Sequence, residues 1–274
     1  MKFADLHLHT IFSDGTYTPS ALIEQALDMG INIIAITDHD TVDGILPSLE
    51  AARGKDIEII PAIELTAEYD GLEIHILGYF IDYNSKALLK KLDFLKQNRR
   101  ERMLQMVDKL NKMGIAIEAQ EVFKLSGNAP VGRLHLARTL LQAGYVDSIA
   151  TAFQKYIGER SPAYVCGFRL GPQEAIRLIK EHRGLAVLAH PYSMRRDDLI
   201  PLFIEYGLAG LEVFYPEHTN STTQRYKNLA EKYNLLLTGG SDCHGFAKPE
   251  VKLGSVKLPE VFVEKLKAEK AKIK

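Results

Sequence analysis

Apolar positions along this chain fall into short, nearly continuous runs, separated by stretches in which they recur every three or four residues. Seven runs read as strands: "KFADLHLH" (2–9), "INIIAITD" (31–38), "IEIIPAIE" (57–64), "LEIHILGYF" (72–80), "LAVLAH" (185–190), "LAGLEVF" (208–214) and "NLLLTGGSD" (234–242). Continuous rather than alternating hydrophobicity marks strands covered on both faces. The helices between them carry end signals. In "TPSALIEQALDMG", Thr18 is placed as N-cap, Pro19 as the first helical residue and Gly30 as the stop. "GPQEAIRLIKEHRG" (171–184) repeats that grammar. Strand–helix alternation predicts parallel strands joined by helical crossovers. Seven strands suit a small α/β barrel better than an open doubly wound sheet, which periodicity alone leaves as an alternative.

The rhythm breaks between about 85 and 164. Leu88, Leu92, Leu95, Met103, Met106, Leu110 and Met113 step by three, four or multiples of them, which predicts one long amphipathic helix. Shorter helical patterns follow in "VGRLHLARTLLQAG" and "IATAFQKYIG". The expected organisation is a barrel built from 1–84 and 165–274, with 85–164 as a helical insertion between the fourth and fifth strands. The Lys-rich end, "KLKAEKAKIK", reads as a solvated final helix.

Composition adds limits. The 274 residues are 46% hydrophobic and 25% charged, enough for a sizeable core. A net charge of −1 supplies no field for coating long duplex nucleic acid, but it leaves room for a small phosphorylated substrate. Two cysteines, Cys166 and Cys243, form no CxxC pair and fit a reducing cytoplasm. No apolar run approaches the ~20 residues of a membrane span, and the first residues do not resemble a secretory signal.

The polar residues that interrupt the pattern sit at strand ends. His7 and His9 project to one side of the first strand, because side chains alternate. His39 follows "IIAIT", Glu64 ends "IIPAI", His75 lies in "LEIHILGY", His190 ends "AVLA", and Asp242 and His244 follow "LLLTGGS". In barrels of parallel strands these ends form the active-site face. His, Asp and Glu together are ligands for Zn, Mn or Fe. With Asp14 there are nine, too many for one ion and suited to two or three. Asp38, Asp40 and Cys243 flank these positions and are expected to point away. His182, at a helix end, and His135, in a helical pattern, are read as structural.

"DLHLHTIFSDGT", "ITDHDT", "IPAIELTA", "IHILGY", "LAHPY" and "GGSDCHG", in that order, resemble the motifs of the PHP (polymerase and histidinol phosphatase) domain. The resemblance implies a distorted (β/α)7 barrel, a trinuclear divalent-metal centre and phosphoesterase activity. By it, His7, His9, Glu64 and Asp242 hold one ion. Glu64 bridges to a second held by His75 and His190, and Asp14, His39 and His244 hold the third. Glu64, Asp242 and His190 would orient a metal-bridging hydroxide for attack on phosphorus. Manganese is the expected metal, with iron and zinc open.

Asp14 in "SDG", together with the insertion, makes the chain similar to the branch of 3′,5′-nucleotide bisphosphate phosphatases and 5′-to-3′ exoribonucleases. The expected substrate is a nucleotide or a short 5′-phosphorylated oligonucleotide. Arg99 and Arg102 in "NRRER", Arg133 at a helix start, and His218 after the sixth strand are the candidate substrate-binding residues. The alternatives are a histidinol-phosphatase-like small-molecule phosphatase and a regulatory metal-binding domain.

Overall fold

The computed structural model of the protein describes residues 2–273. Eight strands, β1 (Phe3–Leu8), β2 (Ile33–Ile36), β3 (Glu58–Tyr69), β4 (Leu72–Tyr79), β5 (Leu185–Leu188), β6 (Gly210–Phe214), β7 (Leu236–Gly239) and β8 (Leu258–Pro259), make one sheet. Their order is β7-β6-β5-β4-β3-β2-β1-β8, and the sheet curls into a nearly closed barrel. Its seam is joined where Leu8 bridges Cys243, just beyond the end of β7. Two backbone bonds flank that bridge, His9 N–H to the Cys243 carbonyl and Asp242 N–H to the His7 carbonyl.

Helices α1 (Pro19–Asp28) and α2 (Ile45–Ala51) follow the first two strands. Between β4 and β5 come α3 (Lys86–Lys112), α4 (Ala119–Ser126), α5 (Arg133–Gln142), α6 (Ile149–Ala152) with a π-helical turn over Phe153–Ile157, and α7 (Pro172–Glu181). The remainder are α8 (Pro191–Met194), α9 (Ile200–Tyr206), α10 (Asn220–Lys232) and α11 (Glu260–Lys270). The Thr18 hydroxyl accepts from the Ala21 N–H and Pro19 opens α1, as the sequence grammar predicts. Among the described residues no helix is long and apolar enough to cross a membrane.

The expectation of uniformly parallel strands fails at β4, which runs antiparallel to both β3 and β5. The cause is local. Tyr69 pairs with Leu72, leaving a two-residue turn of Asp70 and Gly71 with φ of 52° and 78°. Positive φ at both positions is the type I′ hairpin, and "DG" between apolar runs is its signature. Two residues cannot make a parallel crossover. The short β8, antiparallel to β1, is a further strand that the seven apolar runs do not mark.

Strand residues are buried on both faces. Leu6, Ala35, Ile60, Ala62, Leu77, Tyr79 and Val187 belong to one apolar cluster, and Ile34, Ile36, Ile63 and Leu65 to another that includes helix residues such as Leu22, Ile176 and Ile179. Helix α3 serves two cores. Leu88, Leu92 and Leu95 join the barrel's outer cluster, whereas Met103, Met106, Val107 and Leu110 pack with Val122, Leu136 and Leu140 of α4 and α5. Met113, at the end of the sequence stripe, is left exposed.

Candidate metal centre

His7 of β1 and His9 just past its end reach the site through a bulge. Asp5 pairs with Ile34 and Leu8 with Ile36, so β1 spends three residues where β2 spends two. The extra residue reverses the alternation, and His7 and His9, on either side of Leu8, face the barrel mouth. A Cβ on Gly240 would meet the His7 backbone nitrogen at 2.4 Å, so the β7–β1 seam can close only on a glycine there. His190 and Asp242 adopt positive φ, 27° and 57°, a conformation costly for non-glycine residues and concentrated at functional sites. Because β4 runs backwards, its early residue His75, paired with Thr66, still reaches the rim where β3 ends.

Glu64 lies at the centre of the group and is fully buried. Its Oε2 is 3.2 Å from Nε2 of both His7 and His9 and 3.3 Å from His39 Nδ1. Its Oε1 is 2.8 Å from His75 Nδ1 and 3.3 Å from His190 Nε2. Asp242 Oδ1 is 3.1 Å from His9 Nε2, and Asp14 Oδ1 is 3.3 Å from His244 Nε2. Three sets of donors therefore crowd together: His7, His9, Glu64 and Asp242; His9, Asp14, His39 and His244; and His39, Glu64 and His75. Ligands about 2.1 Å from a common ion stand roughly 3 to 3.4 Å apart, which is the spacing here. His7 Nε2, His9 Nε2, His39 Nδ1, Asp14 Oδ1 and Glu64 Oε2 are buried without a hydrogen-bond partner. Buried lone pairs converging without donors fit cations, and the imidazole–carboxylate mix fits Mn, Fe or Zn.

The nitrogens turned away from this centre are held by other groups. His7 Nδ1 is 3.0 Å from Oε1 of Glu212, whose Oε2 accepts the His190 N–H at 2.8 Å. His75 Nε2 lies 2.9 Å from Glu73, His190 Nδ1 2.9 Å from the Ser193 hydroxyl and His244 Nδ1 2.8 Å from the Asp242 carbonyl. Such outer partners fix imidazole orientation and tautomer in metal sites. Burial alone would raise the Glu64 carboxyl, but His39, His7 and His75 overcome it and hold it well below the usual range. Against the same burial, Lys248 and His244 depress Asp242, and His244 and His39 depress Asp14. All three carboxylates are thus held ionised by neighbouring positive charge, a role that a bound cation would share.

A cavity of about 160 Å³ opens beside His39, His75 and His244 and is lined on its far side by Arg99, Arg102 and Arg133. Arg99 is held by Asp40, 2.6 Å from its Nε, and by the Thr66 hydroxyl. Arg133 grips both oxygens of Glu73 at 2.7 Å. Arg102 donates Nε to the Val165 carbonyl, but its Nη2 is buried without a partner. Burial, then the neighbouring Arg169 and Arg133, push Arg102 down to about 9. Arg169 Nη2 lies 2.5 Å from Glu73, and its Nη1 is also buried without a partner. Four guanidiniums thus face three carboxylates, Glu73, Asp40 and, 4.0 Å from Arg169 Nη1, Glu68. His218, by contrast, does not line this cavity. Its Nδ1 bonds the Val213 carbonyl and its ring sits among Tyr192, Tyr215 and Tyr226.

Sequence reasoning missed Glu212, Glu73, Arg169, Lys248 and Tyr215. The Lys248 ammonium and the Tyr215 hydroxyl both donate to Asp242 Oδ2, at 3.2 and 3.1 Å. Of these, Glu212 had a signal, a carboxylate inside the apolar run "LAGLEVF". Of the residues set aside, Asp38 accepts from Thr10 and Ser13, Cys243 joins the core, His182 caps α7, and His135 Nδ1 accepts the Gly132 N–H, whereas Asp40 turns to the arginine cavity and holds Arg99.

Residues 5–160 match the PHP domain. Among curated proteins the chain is 32% identical over 251 residues to the phosphoribosyl 1,2-cyclic phosphate 1,2-diphosphodiesterase of Eggerthella lenta, covering 88% of this chain and 94% of that one. It is 33% identical to a 5′-3′ exoribonuclease of Haemophilus influenzae, covering 89% and 90%. With the 3′,5′-nucleoside bisphosphate phosphatase of Chromobacterium violaceum it shares 31%, covering 89% and 88%. A Bifidobacterium adolescentis crystal structure, described as a metal-dependent phosphoesterase, superposes with a TM-score of 0.89 at 30% identity, covering 97% of this chain and 95% of that one.

Proposed function

This chain belongs to the PHP domain family of metal-dependent phosphoesterases, and from that premise we propose that it hydrolyses phosphate esters of nucleotides. The substrate would be a 3′,5′-bisphosphate or the 5′-phosphorylated end of a short RNA. The observation that carries this reading is the adjacency of two sites. The cavity beside the donor cluster is lined by Arg99, Arg102 and Arg133, and Arg102 carries a buried Nη2 without a partner. A phosphate ester with one phosphoryl group fills the first site only, whereas a nucleotide carrying two phosphates in sequence fills both.

In this reading His7, His9, Glu64 and Asp242 hold one divalent ion, Glu64, His75 and His190 a second, and Asp14, His39 and His244 a third. His9 and His39 are also within reach of neighbouring ions. Six imidazoles and three carboxylates suit Mn, Fe or Zn, and manganese is the metal of this reading. Divalent ions bound there neutralise phosphoryl oxygens and make water acidic enough to ionise near neutral pH. The chain's own residues then divide the remaining work. Glu212 and Glu73 orient His7 and His75. Arg99, Arg102 and Arg133, which line the cavity, bind the non-scissile phosphate, with Arg169 sharing Glu73 behind them. Lys248 borders both the arginine cavity and the neighbouring one lined by His190 and Asp242, where its ammonium meets the scissile group. Residues 85–164, which supply Arg99, Arg102 and Arg133, act as a substrate-binding insertion on the barrel of 1–84 and 165–274. Free Cys166 and Cys243 support a cytoplasmic setting.

The test is a panel run with Mn²⁺: adenosine 3′,5′-bisphosphate, AMP, 5′-phosphorylated RNA, histidinol phosphate and 5-phosphoribosyl 1,2-cyclic phosphate. The expected outcome is highest kcat/KM on the bisphosphate or the RNA. Preferred turnover of histidinol phosphate or the cyclic phosphate would overturn the nucleotide reading.

A further inference from the structure

The arginine cavity and the metal-side cavity both share lining residues with a third space, and that space is the largest of the three. It has a volume of about 790 Å³, against about 160 and 280 Å³ for the two at the centre. Arg133 and Phe153 line both this space and the arginine cavity. Ser193, whose hydroxyl orients His190, lines both this space and the metal-side cavity. The space beside α8 therefore adjoins both cavities at the centre.

The walls of that space carry cations. Arg195 and Arg196 stand at the end of α8, one short helix beyond His190, and Arg160 faces them from the turn after Ile157. Arg196 is engaged by Asp198, but among the described residues Arg160 and Arg195 have no carboxylate partner. Arg195 holds a left-handed backbone, φ 53°, at the point where α8 ends. Two carboxylates also border the space. Glu159 accepts the Glu73 N–H, and Asp70 sits in the β3–β4 turn. Arg133 is held by Glu73 and Arg196 by Asp198, so the two cations left to meet an incoming anion are Arg160 and Arg195. The Phe153 ring supplies an apolar face, and a cationic track beside an aromatic ring is the usual design for single-stranded nucleic acid.

We propose that this groove binds the backbone of a single-stranded oligonucleotide 3′ to the scissile phosphate, and that Arg160 and Arg195 are its phosphate contacts. The proposal rests on the nucleotide reading above. A mononucleotide bisphosphate ends at the centre and does not enter the groove. An oligonucleotide does, so the groove adapts one site to chain-length-dependent substrates.

The experiment compares wild type with Arg160→Ala/Arg195→Ala, using adenosine 3′,5′-bisphosphate, a 5′-phosphorylated dinucleotide and a 5′-phosphorylated hexanucleotide in Mn²⁺. In wild type, KM should fall from dinucleotide to hexanucleotide. In the variant, KM for the hexanucleotide should rise about 10-fold, with kcat and KM for the bisphosphate unchanged. The log–log salt dependence of hexanucleotide KM should flatten by about 1.4, since each lost phosphate contact on a single strand removes roughly 0.7 from the slope. Equal KM for both lengths in wild type, or an unchanged hexanucleotide KM in the variant, overturns the groove while leaving bisphosphate hydrolysis intact. Absence of turnover on every nucleotide overturns the reading beneath it as well.

Discussion

Glu212 touches no candidate ion directly, yet it holds His7 by a side-chain contact and His190 through its backbone N–H. Outer carboxylates of this kind are worth about 10- to 100-fold in metal affinity. Glu212→Gln should therefore lose Mn²⁺ on dialysis at concentrations where wild type retains it, with activity returning as Mn²⁺ is raised. Full metal retention by elemental analysis would count against the assignment. Arg102 makes the opposite kind of prediction, because a guanidinium crowded by Arg133 and Arg169 with an orphan N–H is a stability cost. Arg102→Met should raise KM for bisphosphates about 10-fold or more, with Tm unchanged or higher. A lower Tm with unchanged KM would make Arg102 purely structural. The inner donors were legible because histidines and carboxylates at the ends of apolar runs violate the pattern around them. Glu73, Arg169, Lys248 and Tyr215 were not, since each is an ordinary polar residue until the fold supplies its partner.

At the scale of elements, the strands and most helices follow from hydrophobic runs and end signals, while their directions and phases follow from single residues. Asp70–Gly71 turns β4 back on β3, and one extra residue in β1 turns His7 and His9 inward. A run of apolar residues contains neither fact. The turn chemistry does contain the first, and the bulge has no signature in this one sequence. The division of α3 between two cores was likewise hidden, because one continuous stripe serves both. The turn can be tested in isolation. A Cβ at Gly71 would meet nothing within 4 Å, so its φ of 78° is the only obstacle to substitution. Gly71→Val should cost about 1–2 kcal/mol, the left-handed penalty for an L-residue. That is a Tm drop of a few degrees, with kcat on nucleotide substrates reduced by less than about threefold. No change in Tm would mean that the turn relaxes out of the type I′ geometry.

For the whole molecule, the barrel seam is where folding and metal binding meet. Most of the barrel is laced by strand ladders, but β7 meets β1 through the Leu8–Cys243 bridge, the two backbone bonds beside it and the Ser241 N–H donated to Asp5. The candidate ligands His7, His9, Asp242 and His244 lie on both sides of that seam, so ions shared among them cross-link its two edges. Without cations, Glu64, Asp242 and Asp14 remain buried and ionised within a few ångströms of one another's ligands. Removing metal should therefore weaken the seam before the ladders. A site occupied at 100 times its Kd contributes about 2.7 kcal/mol, and each kcal/mol moves Tm by roughly 2–4 °C in chains of 150–250 residues. Chelation should lower Tm by about 5–10 °C for each such site lost. Hydrogen exchange should accelerate first at the His9 and Asp242 amides, with the amides of the β3–β4 pair protected as before. Asp242→Asn, which keeps a residue tolerant of positive φ while removing the charge, should be inactive and less sensitive to chelator than wild type. Uniform loss of protection across the barrel on chelation, or an unaltered Tm, would show that the ions serve chemistry alone and that the seam holds without them.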